Sequence, residues 1–98
     1  MSDTTYNGWK NYPTWAVNLW LNNDPWSQEW ALGITRDALL NSEHGRLAVA
    51  DALKHNVREM TENDNATLAS DLLGYALDCV DWHETADAFI EMAEEVTA

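Results

Sequence analysis

Along most of this chain apolar residues recur every three or four positions, with polar residues filling the intervals, which is the period of amphipathic helices. Five such stretches can be read, separated by short punctuation. Asn7-Gly8 is a turn signal, and Pro13 suits the first turn of a helix running through about Leu21. In that helix Trp15 and Leu19, and Ala16 and Trp20, share neighbouring faces. Asp24-Pro25 repeats the pattern of an Asp N-cap followed by Pro at the first helical position. The second helix then runs to about Leu40, with Trp26, Trp30, Ile34 and Ala38 as an apolar stripe.

Asn41-Ser42 closes the second helix, and Ser42 is placed to cap the third, over about Glu43 to Met60. Its expected buried line is Leu47, Ala50, Leu53, Val57 and Met60. The polar run Thr61 to Asn65 reads as a loop and cap. A fourth helix is expected over about Ala66 to Val80, with Leu68, Leu72, Leu73, Tyr75, Ala76 and Cys79 inward. Asp81 and Glu84 have the spacing of a capping box, and the fifth helix runs from Trp82 to about Glu95. It should bury Trp82, Ala86, Phe89, Ile90 and Ala93. No alternation of apolar and polar residues persists long enough for a strand. The expected fold is therefore all-α: a compact bundle of about five helices, with residues 1–98 as one domain.

Charge changes the picture. The net charge is −12, and it is unevenly spread. Residues 1–60 hold seven acids and five bases, whereas residues 61–98 hold ten acids and no Lys or Arg. Phosphate binding needs clustered cations, so direct contact with nucleic acid or an anionic membrane is disfavoured. A basic protein surface is the favoured partner.

The acids of the last third are also patterned. Glu84, Asp87, Glu91 and Glu94/Glu95 follow one another at three or four residues, about 4.5–6 Å apart along a helix axis. Asp71 and Asp78 lie two turns apart on the fourth helix, with Asp64 on the same heptad spacing. Like charges at this spacing each cost a few tenths of a kcal/mol. The expected partner-binding residues are Asp71, Asp78, Asp81, Glu84, Asp87, Glu91, Glu94 and Glu95, standing in for the phosphates of a nucleic acid. The bland alternative is a solvated face. Salt adaptation is another, but it should enrich acids over the whole surface, and the first 60 residues are nearly neutral.

Other chemistry is thinly represented. Five tryptophans crowd the first third and Trp82 opens the last helix; core packing is expected for them, with an exposed Trp as an interface anchor the alternative. His44, His55 and His83 have no zinc-ligand spacing, so no metal site and no cofactor are expected beyond weak association of Mg²⁺ or Ca²⁺ with the acids. The lone Cys79 falls on the apolar side of its helix, where a thiol is inert. There is no phosphate-binding Gly-rich loop and no nucleophile elbow, so no catalytic residue is assigned. No apolar run is long enough to span a membrane, and Met1 to Thr5 lack the pattern of a secretory signal; the expected location is cytoplasmic, in a host cell.

Two stretches carry a resemblance. Asn7 to Asp24, with Asn11-Tyr12-Pro13-Thr14-Trp15 at its centre, resembles the opening of a group of small phage, plasmid and haloarchaeal proteins of unassigned function. Val80 to Asp87, followed by Ile90-Glu91, resembles their closing helix, although Thr85 stands where an aliphatic residue is expected. The resemblance implies a fold and a mobile-element setting, and brings no catalytic residues. By analogy of charge and context, the expected function is a phage-type anti-defence protein that blocks the DNA-binding channel of a CRISPR or restriction complex, a CRISPR surveillance complex first. The alternative is an adaptor that binds through its Trp-rich N-terminal region, with the acids serving solubility. A Mg²⁺-dependent hydrolase is a third, weaker reading. Either a monomer or a homodimer fits the sequence.

Overall fold

The computed structural model describes residues 6–61 and 68–97. These form five helices: α1 (Tyr12–Asn22), α2 (Pro25–Asn41), α3 (Arg46–Thr61), α4 (Leu68–Cys79) and α5 (Trp82–Thr97). Before α1, Tyr6 and Trp9 exchange backbone hydrogen bonds of 2.6 and 2.8 Å across Asn7-Gly8. Both turn residues have positive φ, +48° and +89°, as a tight primed turn requires. The turn folds Tyr6 back onto Tyr12 and Trp15, with ring centroids 5.1 and 4.9 Å away.

The helices begin and end for local reasons. Asn11 caps α1, its Oδ1 accepting from Thr14 N at 3.0 Å, and Pro13 follows in the first turn. Asp24 caps α2 by accepting from Trp26 N at 2.8 Å. α3 starts at Arg46, later than expected, because Gly45 takes a φ of +50° and delays the helix. Ser42 consequently does not cap α3; its Oγ accepts from His44 N within the connecting turn. The expected start of α4 at Ala66, the loop Glu62 to Asn65 and Asp64 lie outside the described residues.

α5 is the centre of the bundle, packing on α1, α2 and α3, while α4 packs mainly on α1 and α3 and meets α5 where Trp82 Nε1 donates to Leu77 O at 3.1 Å. Leu21, Ala31, Val49, Leu53, Ala86 and Phe89 are fully buried at the heart of the core. Each large apolar side chain so buried contributes roughly 1.5–3 kcal/mol.

The structure corrects three expectations about the core. On α2 the innermost line is Ser27, Ala31 and Thr35, one position along from the Trp26–Ala38 stripe. Small side chains there permit close helix approach, and their hydroxyls are satisfied by backbone carbonyls: Ser27 donates to Leu21 O at 3.0 Å and Thr35 to Ala31 O at 2.8 Å. Trp30, Ile34 and Ala38 flank the core, and Trp26 stacks on Trp30 with 64% of its surface exposed. Trp20 is also half-exposed, so Trp82 is the fully packed tryptophan. On α3, Leu47 and Met60 are exposed at the two ends of the buried line. On α4, Leu68, Leu72, Leu73 and Tyr75 face solvent and, among the described side chains, only Leu77 is buried, because α4 packs mainly against two helices.

Candidate functional site

α5 presents its carboxylates as a consequence of its own amphipathicity. Trp82, Ala86, Phe89 and Ala93 face the core, which turns Asp87, Glu91, Glu94 and Glu95 to solvent. The two acids at its start are used differently. Asp81 is the cap: its Oδ1 accepts from His83 N at 3.1 Å and Glu84 N at 3.2 Å. Glu84 does not complete the capping box. Its Oε1 accepts from Lys10 N at 2.8 Å, while Asp81 N donates to the Thr14 hydroxyl at 2.9 Å.

Cations from the first part of the chain reach into this acidic segment. Arg46 on α3 pairs with Asp87 at 2.9 Å, Arg58 pairs with Asp78, and Lys10 lies 3.9 Å from Asp81. All three pairs are substantially exposed, so each is worth under about 1 kcal/mol. They nevertheless divide seven of the eight expected site residues. Asp78, Asp81, Glu84 and Asp87 have partners within the protein, whereas Asp71, Glu91 and Glu95 make no ion pair among the described residues. The separation of charge along the sequence is thus partly repaired in space.

A polar seam joins the chain's two ends. The Thr14 hydroxyl donates to Asn11 Oδ1 at 2.6 Å and accepts from Asp81 N, and Asn11 Nδ2 donates to Cys79 O at 2.8 Å. One turn on, Asn18 Nδ2 donates to Thr14 O at 2.8 Å and to the Thr85 hydroxyl at 2.9 Å. Thr14, Asn18 and Thr85 are all buried, and Asn18 Oδ1 has no hydrogen-bond partner among the described residues. Thr85 is therefore the residue an α1 amide requires at that position, and an aliphatic side chain would leave that amide short of an acceptor. Sequence reading missed Asn11, Thr14 and Asn18; the one available signal was Asn11 three residues before Thr14 at a helix start.

The seam runs through both stretches that carry the resemblance, and the whole of the chain between them is matched as well. The model of a family of unknown function, DUF7249, matches residues 2–97. The chain belongs to this family. No curated protein and no solved structure matches it.

The surface of this DUF7249 member also carries an apolar and a polar recess. Between α1, α3 and α4 lies an apolar groove of about 390 Å³, with Val17, Val57, Leu77 and Val80 in its lining and Tyr12 and Trp20 at its α1 edge. At the α4–α5 junction a shallow polar recess of about 440 Å³ mixes Lys10 and Lys54 with Asp51, Asp78 and Asp81. Its mixed charge gives no preference for an anion or a cation. Among the described residues no group of three His, Cys, Asp or Glu side chains is arranged to hold a metal ion. No described helix is long and apolar enough to cross a membrane.

Proposed function

We propose that this protein is a non-enzymatic, phage-type anti-defence inhibitor that sets the carboxylates of α5 in the DNA-binding channel of a host surveillance complex. The observation that supports this reading is the outward row Asp87, Glu91, Glu94 and Glu95 on a helix whose opposite face is the centre of the core. A rigidly anchored row of acids meets a basic channel without first having to be ordered, which lowers the cost of binding. The net charge of −12 supplies the long-range attraction.

The test is a pull-down with purified CRISPR surveillance complexes, with and without target DNA. Binding that target DNA displaces, and that weakens steeply with salt, supports the reading. The informative variant reverses Asp71, Glu91 and Glu95 to Lys, because Glu84 and Asp87 also have partners within the protein. Retention of full inhibition by that triple variant, with helicity unchanged, would sink the phosphate-mimic mechanism.

A second reading has its own observation. Trp20 and Trp26 are 51% and 64% exposed, as anchors of a protein interface would be. On this adaptor reading Trp26→Ser or Trp20→Ser removes partner binding and the charge reversal does not.

A further inference from the structure

We infer that Asn7 is a site of spontaneous covalent modification, converting to isoaspartate through a succinimide, at a rate set by the packing of Tyr6 on Tyr12 and Trp15. Asn7-Gly8 is the one Asn-Gly pair in the chain. Both residues are exposed, and open space surrounds Gly8. The turn's two hydrogen bonds use the N–H groups of Tyr6 and Trp9. Among the described residues neither Gly8 N nor the Asn7 side chain has a partner. Asn7 also holds a φ of +48°, a conformation that an L-residue adopts at a cost.

The other described asparagines differ. Asn11, Asn18, Asn22, Asn41 and Asn56 each donate Nδ2 to a backbone carbonyl. Asn23 makes no such bond, but it precedes Asp24, whose side chain crowds the nitrogen that would attack. Glycine places nothing there.

The reaction consumes only water. Gly8 N gives up its proton to solvent and attacks Asn7 Cγ; the N–Cγ bond forms, the Cγ–Nδ2 bond breaks, and Nδ2 leaves with a proton as ammonia. Water then opens the five-membered imide. Cleavage at Cγ gives aspartate, whereas cleavage at the main-chain carbonyl leaves the chain running through Cγ, as isoaspartate. Either product adds a carboxylate to a chain already at −12. Isoaspartate also puts a methylene into the main chain, so Tyr6 and Trp9 cannot keep both their bonds.

The gate follows from the same geometry. Ring closure requires rotation about the Asn7 Cα–C bond, which moves Gly8 and Trp9 against Tyr6. That rotation breaks the 2.6 and 2.8 Å bonds and draws Tyr6 from the rings of Tyr12 and Trp15, 5.1 and 4.9 Å away. Just beyond the turn, Lys10 N is fastened to Glu84 at the start of α5. Such an opening is local, and the bundle need not unfold.

The full chain is incubated in neutral buffer beside a peptide of residues 4–12, which sets the intrinsic rate. Peptide mapping and labelling by an isoaspartyl methyltransferase locate the product. The expected result is isoaspartate at position 7 of the full chain, formed more slowly than in the peptide, while the other asparagines remain amides. Tyr6→Ala should speed conversion in the full chain about two- to tenfold, the worth of an aromatic pair, and leave the peptide's rate unchanged. Tyr6→Phe, which keeps the ring, should convert at the parent rate, and Asn7→Gly, which keeps the positive φ, should take no label. The modified chain, separated by its added charge, should exchange the Trp9 amide faster and keep the protection of α5. The inference is overturned if Asn7 of the full chain is intact once the peptide has fully converted, or if the label collects at another asparagine. Conversion of Tyr6→Ala at the parent rate overturns it too, as does unchanged protection of Trp9 in the isoaspartate form.

Discussion

The side-chain amide of Asn18 donates to the hydroxyl of Thr85 at 2.9 Å, inside the core, and so fastens α1 to α5 with a polar contact where two apolar groups would be the default. The bond is directional, so it fixes the register of the two helices as well as their contact. Thr85→Val keeps the volume and removes the acceptor. It should destabilise the protein by about 1–3 kcal/mol, read as a lower urea midpoint at unchanged m-value. The double variant Asn18→Leu/Thr85→Val should recover part of that loss, and a coupling energy indistinguishable from zero would show that the bond contributes nothing.

Asn11 acts at a helix start and at a distance. It caps α1 and also donates to Cys79 O at the end of α4. Asn11→Ala should therefore cost more than an isolated cap, about 2 kcal/mol rather than about 1. Asp24→Ala, which removes the cap of α2 alone, is the internal comparison.

Burial distinguishes two aromatic residues that hydrophobicity alone does not. Phe89 is fully buried on α5, and Phe89→Ala should cost about 3–5 kcal/mol. Trp26→Ala removes a larger ring from an exposed position and should cost under about 1 kcal/mol. Thermal unfolding of the two variants measures the contrast.

The Arg46–Asp87 pair is half-exposed on both sides. Arg46→Glu should lower stability by under about 1 kcal/mol at low ionic strength, and most of the difference should vanish by 1 M salt. A loss that persists in salt would mean that the aliphatic stem of Arg46 matters more than its charge.

Backbone protection should differ among the helices. α4 is covered mainly by α1 and α3, whereas α5 is covered by three helices. Amide hydrogen exchange in α4 should proceed through local opening, well before the amides of α5, whose exchange should approach the rate set by global unfolding.

The helices were legible in the sequence because the 3.6-residue period, Pro13, Asp24-Pro25 and Asp81 are local signals. Their neighbours were not. Periodicity says which side of α4 is apolar, but not that the bundle leaves most of that side uncovered at Leu68, Leu72 and Tyr75. It marks Trp26 and Trp30 as a stripe, yet the buried line runs through Ser27, Ala31 and Thr35, whose size and hydroxyls matter more than hydropathy. For the site, the row on α5 follows from spacing. The cap at Asp81 is local, whereas the assignment of Glu84 to Lys10 N and of Asp87 to Arg46 depends on contacts between residues far apart in sequence.

The distribution of cations has one practical consequence. The chain contains two lysines, Lys10 and Lys54, and one of them lies 3.9 Å from Asp81. A carbodiimide, which joins a carboxyl to an amine with no spacer, will therefore make few links within the molecule, Lys10 to Asp81 first among them. Activated carboxyls on α5 have no lysine on their own helix to react with. An amide formed there in a mixture would carry a lysine from whatever protein had come to rest against the row, and the linked peptide would name it.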